Sequence, residues 1–124
     1  MVKKGTSRKG VAAWQARPRW RITRDGRIAL GPGKADLLQA IDRTRAISRA
    51  AAELEMSYRR AWMLVAEMNA SFREPLVETS RWRGAGAALT PAGKRTLHLY
   101  RQLESRSATV ARLPLLELRK LLRK

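Results

Sequence analysis

Cysteine is absent from this sequence, and histidine occurs only once, at position 98. Without cysteine the chain can form neither disulfides nor thiolate metal sites, which fits a reducing compartment. The sequence also lacks a glycine-rich phosphate loop followed by Lys-Ser or Lys-Thr, and it shows no paired carboxylates on a pocket-like framework. We therefore expect no catalytic residue, no metal site and no cofactor, and an enzyme is the least favoured class of protein.

Acidic residues are scarce as well, because 10 Asp and Glu stand against 27 Lys and Arg, giving a formal net charge of +17. Such a surplus repels itself unless a polyanion neutralises it, so nucleic acid is the leading partner and an anionic membrane the second. No apolar run approaches the roughly 18 residues of a membrane span. We expect double-stranded DNA as partner, no membrane, and a cytoplasmic, nucleoid-associated location.

The clearest pattern lies in Met56–Asn69, where Ser57 is a good helix N-cap. Its apolar residues then recur at the i, i+3, i+4, i+7 spacing of an amphipathic helix: Ala61, Leu64, Val65 and Met68. Upstream, Ile47–Leu54 has similar spacing and predicts a shorter helix capped by Ser48. Two helices joined by the brief turn Glu55–Ser57 predict a helix-turn-helix, whose second helix places its N-terminal residues in the DNA major groove.

The N-terminal part combines a basic stretch with strand and turn signals. Residues 1–17 contain five cations and no acid, which predicts a flexible basic arm that either solubilises the protein or contacts DNA. Pro18–Leu30 alternates apolar and polar residues around Asp25-Gly26, so it is either one kinked strand or a small hairpin. A helix follows Gly31–Gly33, and Lys34 in its first turn either helps to hold a phosphate or is an ordinary exposed lysine.

After the central helices, Pro75 ends the third helix, and Leu76–Thr79 with Ala87–Leu89 predicts a basic hairpin, the wing of a winged helix. Its tip contains Arg81, Trp82 and Arg83. The Trp82 ring either stacks on sugar or enters a groove, or it folds back on the domain.

A final helix begins at Thr90-Pro91, with a buried stripe at Leu97, Tyr100 and Leu103, and Pro114 kinks or stops it. Five leucines within residues 115–122 are too apolar for a solvated tail and too few for a stable lone helix. We expect them to pack on a second copy of the protein; a membrane-surface helix is the alternative.

These elements predict a mainly α fold with a small β hairpin, a winged helix-turn-helix. The expected organisation is a flexible basic arm over 1–17, the DNA-binding domain over 18–110 and a leucine-rich dimerisation helix over 111–124.

Over residues 19–105 the chain resembles the N-terminal DNA-binding domain of the ModE-type molybdate-responsive transcription regulators. The matching segments are Gly31–Lys34, Leu37-Leu38, Ile41-Asp42, Ile47-Ser48, Ala50–Ala52, Met56–Trp62, Glu67–Asn69, Phe72–Thr79, Ala88–Gly93 and Tyr100-Arg101. The resemblance implies that Ser57–Arg60 opens the recognition helix, that Trp62 and Met68 belong to the core or its flank, and that Arg81–Arg83 lies in the wing. It also implies a dimer that reads a two-fold related site.

The chain departs from the family pattern in three places. Arg45–Ser48 stands where the family has Gly-Ser-Ile-Ser, so the glycine that eases the end of a helix is missing. The wing has Arg-Trp-Arg where the family wing is rich in glycine. Family members bind molybdate through C-terminal domains, whereas this sequence ends at Lys124, so we expect no oxyanion sensing and no small-molecule ligand.

The leading functional prediction is a sequence-specific DNA-binding regulator acting as a homodimer. The residues expected to contact DNA are Lys34, Ser48, Arg49, Ser57, Tyr58, Arg59, Arg60, Met63, Arg81, Trp82 and Arg83. The main rival is a nonspecific architectural protein that binds by charge, and a protein-interaction adaptor is a weaker alternative.

Overall fold

A computed structural model of the protein describes residues 14–80 and 86–123. The elements are β1 (Ile22–Arg24), β2 (Arg27–Leu30), α1 (Pro32–Thr44), α2 (Ile47–Glu53), α3 (Tyr58–Ser71), β3 (Val77–Thr79), β4 (Ala87–Leu89) and α4 (Pro91–Leu121). Strands β1 and β2 form one antiparallel hairpin, and β3 and β4 form another. The predicted winged helix-turn-helix is confirmed. Most of the predicted basic arm and the wing tip Arg81–Arg83 lie outside the described residues.

The core lies where α1, α2 and α3 meet the second hairpin. On α3 the predicted stripe is confirmed, since Ala61, Val65 and Met68 are buried and Leu64 is half-buried. The largest fully buried side chains come from α1, α2, α3, α4 and the segment before β3: Leu37, Leu38, Ile41, Ile47, Met68, Leu76 and Tyr100. Burying such side chains is the main stabilising contribution to a domain of this size.

Side-chain caps define the starts of α3 and α4 but not the start of α2. The Ser57 hydroxyl accepts a hydrogen bond from the Arg60 amide at 3.0 Å, and the Thr90 hydroxyl accepts one from the Gly93 amide at 2.9 Å. The predicted Ser48 cap is wrong, because α2 begins at Ile47 with Ala46 as N-cap and without a side-chain cap. Ser48 already lies inside the helix. The Thr44 hydroxyl holds the preceding turn by donating to the Ala40 carbonyl at 2.8 Å, with the Ala46 carbonyl oxygen 3.1 Å away.

The segment before α1 is a hairpin rather than one kinked strand. Asp25 and Gly26 both have positive φ, at 52° and 79°, as a two-residue type I′ turn requires. Its strands pair antiparallel, with Arg24 opposite Arg27 at the tip. Helix α1 begins directly afterwards at Pro32 with Gly31 as N-cap, so Gly31–Gly33 is the start of the helix and not a break before it.

Helix α4 runs from Pro91 to Leu121 and passes through Pro114. Of the two predicted effects of that proline, a kink or a stop, the stop is therefore wrong, and the kink stays a prediction. Of the predicted stripe, Tyr100 is buried, while Leu97 and Leu103 are half-buried. The exposed apolar side chains of its C-terminal part include Val110, Leu113, Leu118 and Leu121, which are 57% to 81% exposed.

The N-terminal half of α4 is fastened to the domain by polar contacts. The Tyr100 hydroxyl donates to the Trp20 carbonyl at 2.7 Å, and the Trp20 indole donates to the Ser107 hydroxyl at 2.9 Å. Burial, with a further contribution from the Glu104 carboxylate, raises the pKa of Tyr100 above its ordinary value. The Arg101 guanidinium donates to Asp36 on α1 at 2.9 Å. These bonds tie the segment before β1, α1 and α4 together.

Arg45 occupies the position after α1 where the resembled family has glycine, and it adopts the left-handed conformation with φ 63° and ψ 23°. This conformation costs a residue with a side chain about 1–2 kcal/mol. The Arg45 carbonyl also accepts a hydrogen bond from the Ala87 amide at 3.0 Å, which joins the turn to the second hairpin.

We expect Arg45→Gly to raise the free energy of unfolding by about 1 kcal/mol, because glycine adopts the left-handed conformation without strain. The greater conformational entropy of glycine in the unfolded chain offsets part of this gain. Urea denaturation measures the change. The control is Asp42→Gly, an exposed position inside α1, where glycine should lower the stability. A loss of stability in Arg45→Gly as large as that of the control would contradict the prediction.

Candidate nucleic-acid interface

Helix α3 presents one face to the core and the opposite face to solvent. Four exposed residues form this outer face, which we call the crest: Arg59, Met63, Ala66 and Ala70. Two of the four are alanines, so the middle of the helix has little bulk and can approach a partner closely. The Ser57 cap places Tyr58, Arg59 and Arg60 in the first turn, all exposed. The predicted contact residues Ser57–Arg60 and Met63 therefore lie together at the accessible end of α3.

On one flank of the crest, α3 holds the wing. The Asn69 side chain donates to the Val77 carbonyl at 3.0 Å and accepts from the Leu76 and Val77 amides at 2.8 and 3.1 Å. The Trp62 ring lies on this flank, edge-on to the Tyr58 ring with 6.1 Å between their centroids. Trp62 is 38% exposed and so belongs to the flank, whereas Met68 lies in the core.

On the other flank, Lys34 joins α3 to the first hairpin. Its side chain is only 8% exposed, its ammonium lies 3.1 Å from a Glu67 carboxylate oxygen, and it donates a hydrogen bond to the Ile28 carbonyl. The expectation of an ordinary exposed lysine is therefore wrong. The ammonium is already bound within the protein, between α1, β2 and α3.

Helix α2 carries the remaining described candidates, Ser48 and Arg49, and both are exposed. The Arg49 guanidinium donates to the Thr44 carbonyl at 3.2 Å, which holds its stem along the turn before α2. Both residues lie near the start of α2, and residues 54–57 separate the end of this helix from α3.

A groove of about 1250 Å³ runs between the first hairpin and α3. Its arginines come from the hairpin, the segment before it and the first turn of α3: Arg19, Arg21, Arg24, Arg27 and Arg60. Sequence reasoning did not assign the four hairpin-side arginines to the interface. The available signal was their alternation with apolar residues around Asp25-Gly26, but only the fold shows that this hairpin lies beside α3.

Two other features can be stated for the part of the chain that the structure describes, metal-ion sites and membrane spans. Within residues 14–80 and 86–123, no group of His, Asp and Glu could hold a metal ion. Among those same residues, no helix is long and apolar enough to cross a membrane.

A capped helix with a free outer face, preceded by a short helix and a tight turn and followed by an antiparallel hairpin, defines a winged helix-turn-helix protein. Residues 34–94 match the model of the bacterial regulatory helix-turn-helix proteins of the lysR family.

The chain is also similar to individual proteins. The chain is 41% identical over 78 residues to the molybdenum-pterin-binding protein MopB of Rhodobacter capsulatus, covering 61% of this chain and 29% of that protein. It is 38% identical over 88 residues to the molybdenum transport protein ModE of Azotobacter vinelandii, covering 69% and 33% respectively. It is 36% identical over 79 residues to the transcriptional regulator ModE of Haemophilus influenzae, covering 62% and 31%.

In this region the chain is thus similar to ModE-type proteins, the family that its sequence resembles. It spans about a third of the length of these relatives or less.

Proposed function

We propose that this chain is a sequence-specific transcription regulator that binds double-stranded DNA by placing α3 in the major groove. The observation that carries the proposal is the Ser57-capped first turn of α3, which holds two arginines exposed at the end of a helix with an uncovered crest. Arginine can bind the O6 and N7 atoms of guanine with two hydrogen bonds, the commonest specific contact in the major groove.

The candidate residues divide by the kind of contact they can make. Arg59 and Arg60 are the base-reading candidates, and either one of the pair can hold phosphate instead. Met63 offers apolar contact to thymine methyl groups. The other members contact the sugar-phosphate backbone: Ser48, Arg49, Ser57, Tyr58, Arg81, Trp82 and Arg83. Lys34 is better suited to positioning, because its ammonium is engaged by Glu67 and Ile28. We place this activity in the cytoplasm, on the nucleoid.

We further propose that two copies associate through the C-terminal part of α4. Val110, Leu113 and Leu121 are 72% to 81% exposed there, and an apolar surface of this kind favours association. A symmetric dimer presents two α3 helices to two related half-sites one helical turn of DNA apart.

The double variant Leu113→Glu, Leu121→Glu should reduce the mass in solution from twice 14.0 kDa to 14.0 kDa, because each change sets a charge in the apolar contact. Sedimentation equilibrium measures this. The control Ser105→Glu, Thr109→Glu adds the same charges at exposed polar positions of α4 and should leave the dimer intact. An intact protein that sediments as a monomer at about 50 μM, well above typical dimer affinities, would contradict the dimer.

The net charge of +17 specifically favours a second candidate, a nonspecific architectural protein. Selecting bound fragments from a random duplex pool separates the two functions, because a regulator enriches one motif with inverted half-sites. Affinities for the enriched duplex and its scrambled counterpart, at one salt concentration, should then differ by roughly a thousandfold or more. Failure to enrich any motif, together with tight binding to all duplexes, would support the architectural protein.

A further inference from the structure

The first hairpin is the basic element that the proposed contacts leave unused. Its tip consists of Arg24, Asp25, Gly26 and Arg27, and both tip arginines line the groove that also contains Arg60 of α3. Arg19 and Arg21, in the chain segment before β1, line the same groove. The groove is thus lined by four arginines of the hairpin and the segment before it, together with Arg60 in the first turn of α3.

The acidic residues of the groove remove little of this positive charge. Glu67 is already paired with the Lys34 ammonium at 3.1 Å, so these two lining residues offset each other. Asp25 lies 3.9 Å from the Arg24 guanidinium, but its side chain is 88% exposed, and a pair this open to solvent contributes little. Five arginines against one loosely paired acid leave the groove strongly cationic.

The hairpin is also held in a defined place relative to α3. The Lys34 ammonium binds the Ile28 carbonyl of β2 and the Glu67 carboxylate of α3 at once. The Tyr100 hydroxyl holds the Trp20 carbonyl just before β1. The arginines at the tip are therefore displayed from a fixed support, unlike cations on an unanchored tail.

Wing and first hairpin lie on opposite flanks of α3. Asn69 binds the wing and Glu67 binds the hairpin through Lys34, and residues two apart on a helix point roughly 200° away from each other. A helix in the major groove has a sugar-phosphate strand on each side, and contacts to those strands fix its register.

We infer that the β1–β2 hairpin is a second element that binds the DNA backbone, an inference that rests on the proposed DNA binding. The groove between this hairpin and α3 receives the sugar-phosphate strand on the flank of α3 opposite the wing. Arg24 and Arg27 are the principal phosphate ligands, with Arg19 and Arg21 further along the groove. The hairpin orients α3 on DNA but reads no bases.

The test is the double variant Arg24→Ala, Arg27→Ala, with Kd for DNA measured across a salt series. Loss of two phosphate contacts should reduce the slope of log affinity against log salt by about 1.8, since each contact contributes about 0.9. Binding at 0.1 M salt should be roughly 60-fold weaker if the curves converge near 1 M. The loss should be equal on the selected duplex and on scrambled DNA, as expected for a contact to phosphate rather than to bases.

Two matched variants separate this role from net charge and from folding. Lys94→Ala, Arg95→Ala removes the same charge from exposed positions at the start of α4, where the base of the wing joins the helix, and should keep the wild-type slope. Arg24→Lys, Arg27→Lys keeps both charges and should restore most of the slope.

The possible results distinguish the hairpin contact from the proposed function itself. An unchanged slope in the Arg24→Ala, Arg27→Ala variant, or an equal drop in the Lys94→Ala, Arg95→Ala variant, overturns the hairpin contact while DNA binding stands. Absence of DNA binding by the wild-type protein overturns both.

Discussion

Replacing the base-reading arginine of α3, Arg59 or Arg60, with alanine should greatly reduce the preference for the selected DNA site while leaving most of the affinity for scrambled DNA. Both side chains are exposed in the first turn of α3, where a bidentate contact to guanine is possible. Loss of a base-reading arginine costs about 1–3 kcal/mol on the preferred site, a change of roughly 5- to 150-fold in affinity. Binding assays with both duplexes at the same salt concentration measure the effect.

Arg73→Ala is the matched control, because it removes one exposed arginine just beyond the C-terminal end of α3. It should reduce binding to both duplexes slightly and equally. If Arg59→Ala and Arg60→Ala also reduce the affinities for the two duplexes equally, α3 contributes only charge, and the architectural function is the better explanation.

Replacing Gly93 with alanine should destabilise the whole domain by about 3 kcal/mol, at the upper end of typical overpacking effects. An added Cβ at this position would lie 2.0 Å from the Leu76 carbonyl oxygen and 3.0 Å from its carbonyl carbon, and backbone atoms cannot rotate aside. The same carbonyl accepts the Thr90 amide at 3.0 Å, so any displacement also weakens the junction between the second hairpin and α4. Thermal and urea unfolding measure the loss.

Gly33→Ala provides the contrast, since a Cβ there meets no atom within 4 Å. Position 33 lies in the first turn of α1, where alanine is up to about 1 kcal/mol more favourable than glycine. The control should thus be neutral or stabilising. A Gly93→Ala protein that unfolds at the wild-type temperature would show that Leu76 can move away without penalty.

Local signals in the sequence were sufficient to predict α3, the wing strands and the start of α4. In α3 the apolar period and the Ser57 cap agree, and both depend only on residues within the helix. The Leu89–Gly93 segment combines a threonine cap with a proline in the first helical turn, which marks the start of α4 unambiguously. The need for glycine at position 93 follows from Leu76, which no local pattern reveals.

The errors arose where a distant residue decides the outcome or where one residue type fits two positions. Ser48 is a good cap by type, but Thr44 and Ala46 define that turn, and so Ser48 falls one residue inside α2. Lys34 is buried because its ammonium pairs with the Glu67 carboxylate and donates a hydrogen bond to the Ile28 carbonyl. The tertiary fold brings both groups to it. Helix α4 passes Pro114 although proline disfavours a helix interior, and no local signal distinguished this from a stop.

The crest of α3 contributes no side chain to the buried core, whereas Ala61, Val65 and Met68 on the opposite face do. Under the proposed function, fold stability and target choice therefore reside on different residues of the same helix. Random variation at positions 59, 63, 66 and 70 should alter which operator is selected while the melting temperature stays nearly constant, since exposed substitutions usually change stability by less than about 0.5 kcal/mol. Such a domain can acquire a new DNA target through a few substitutions on the crest, none of which needs to destabilise the fold.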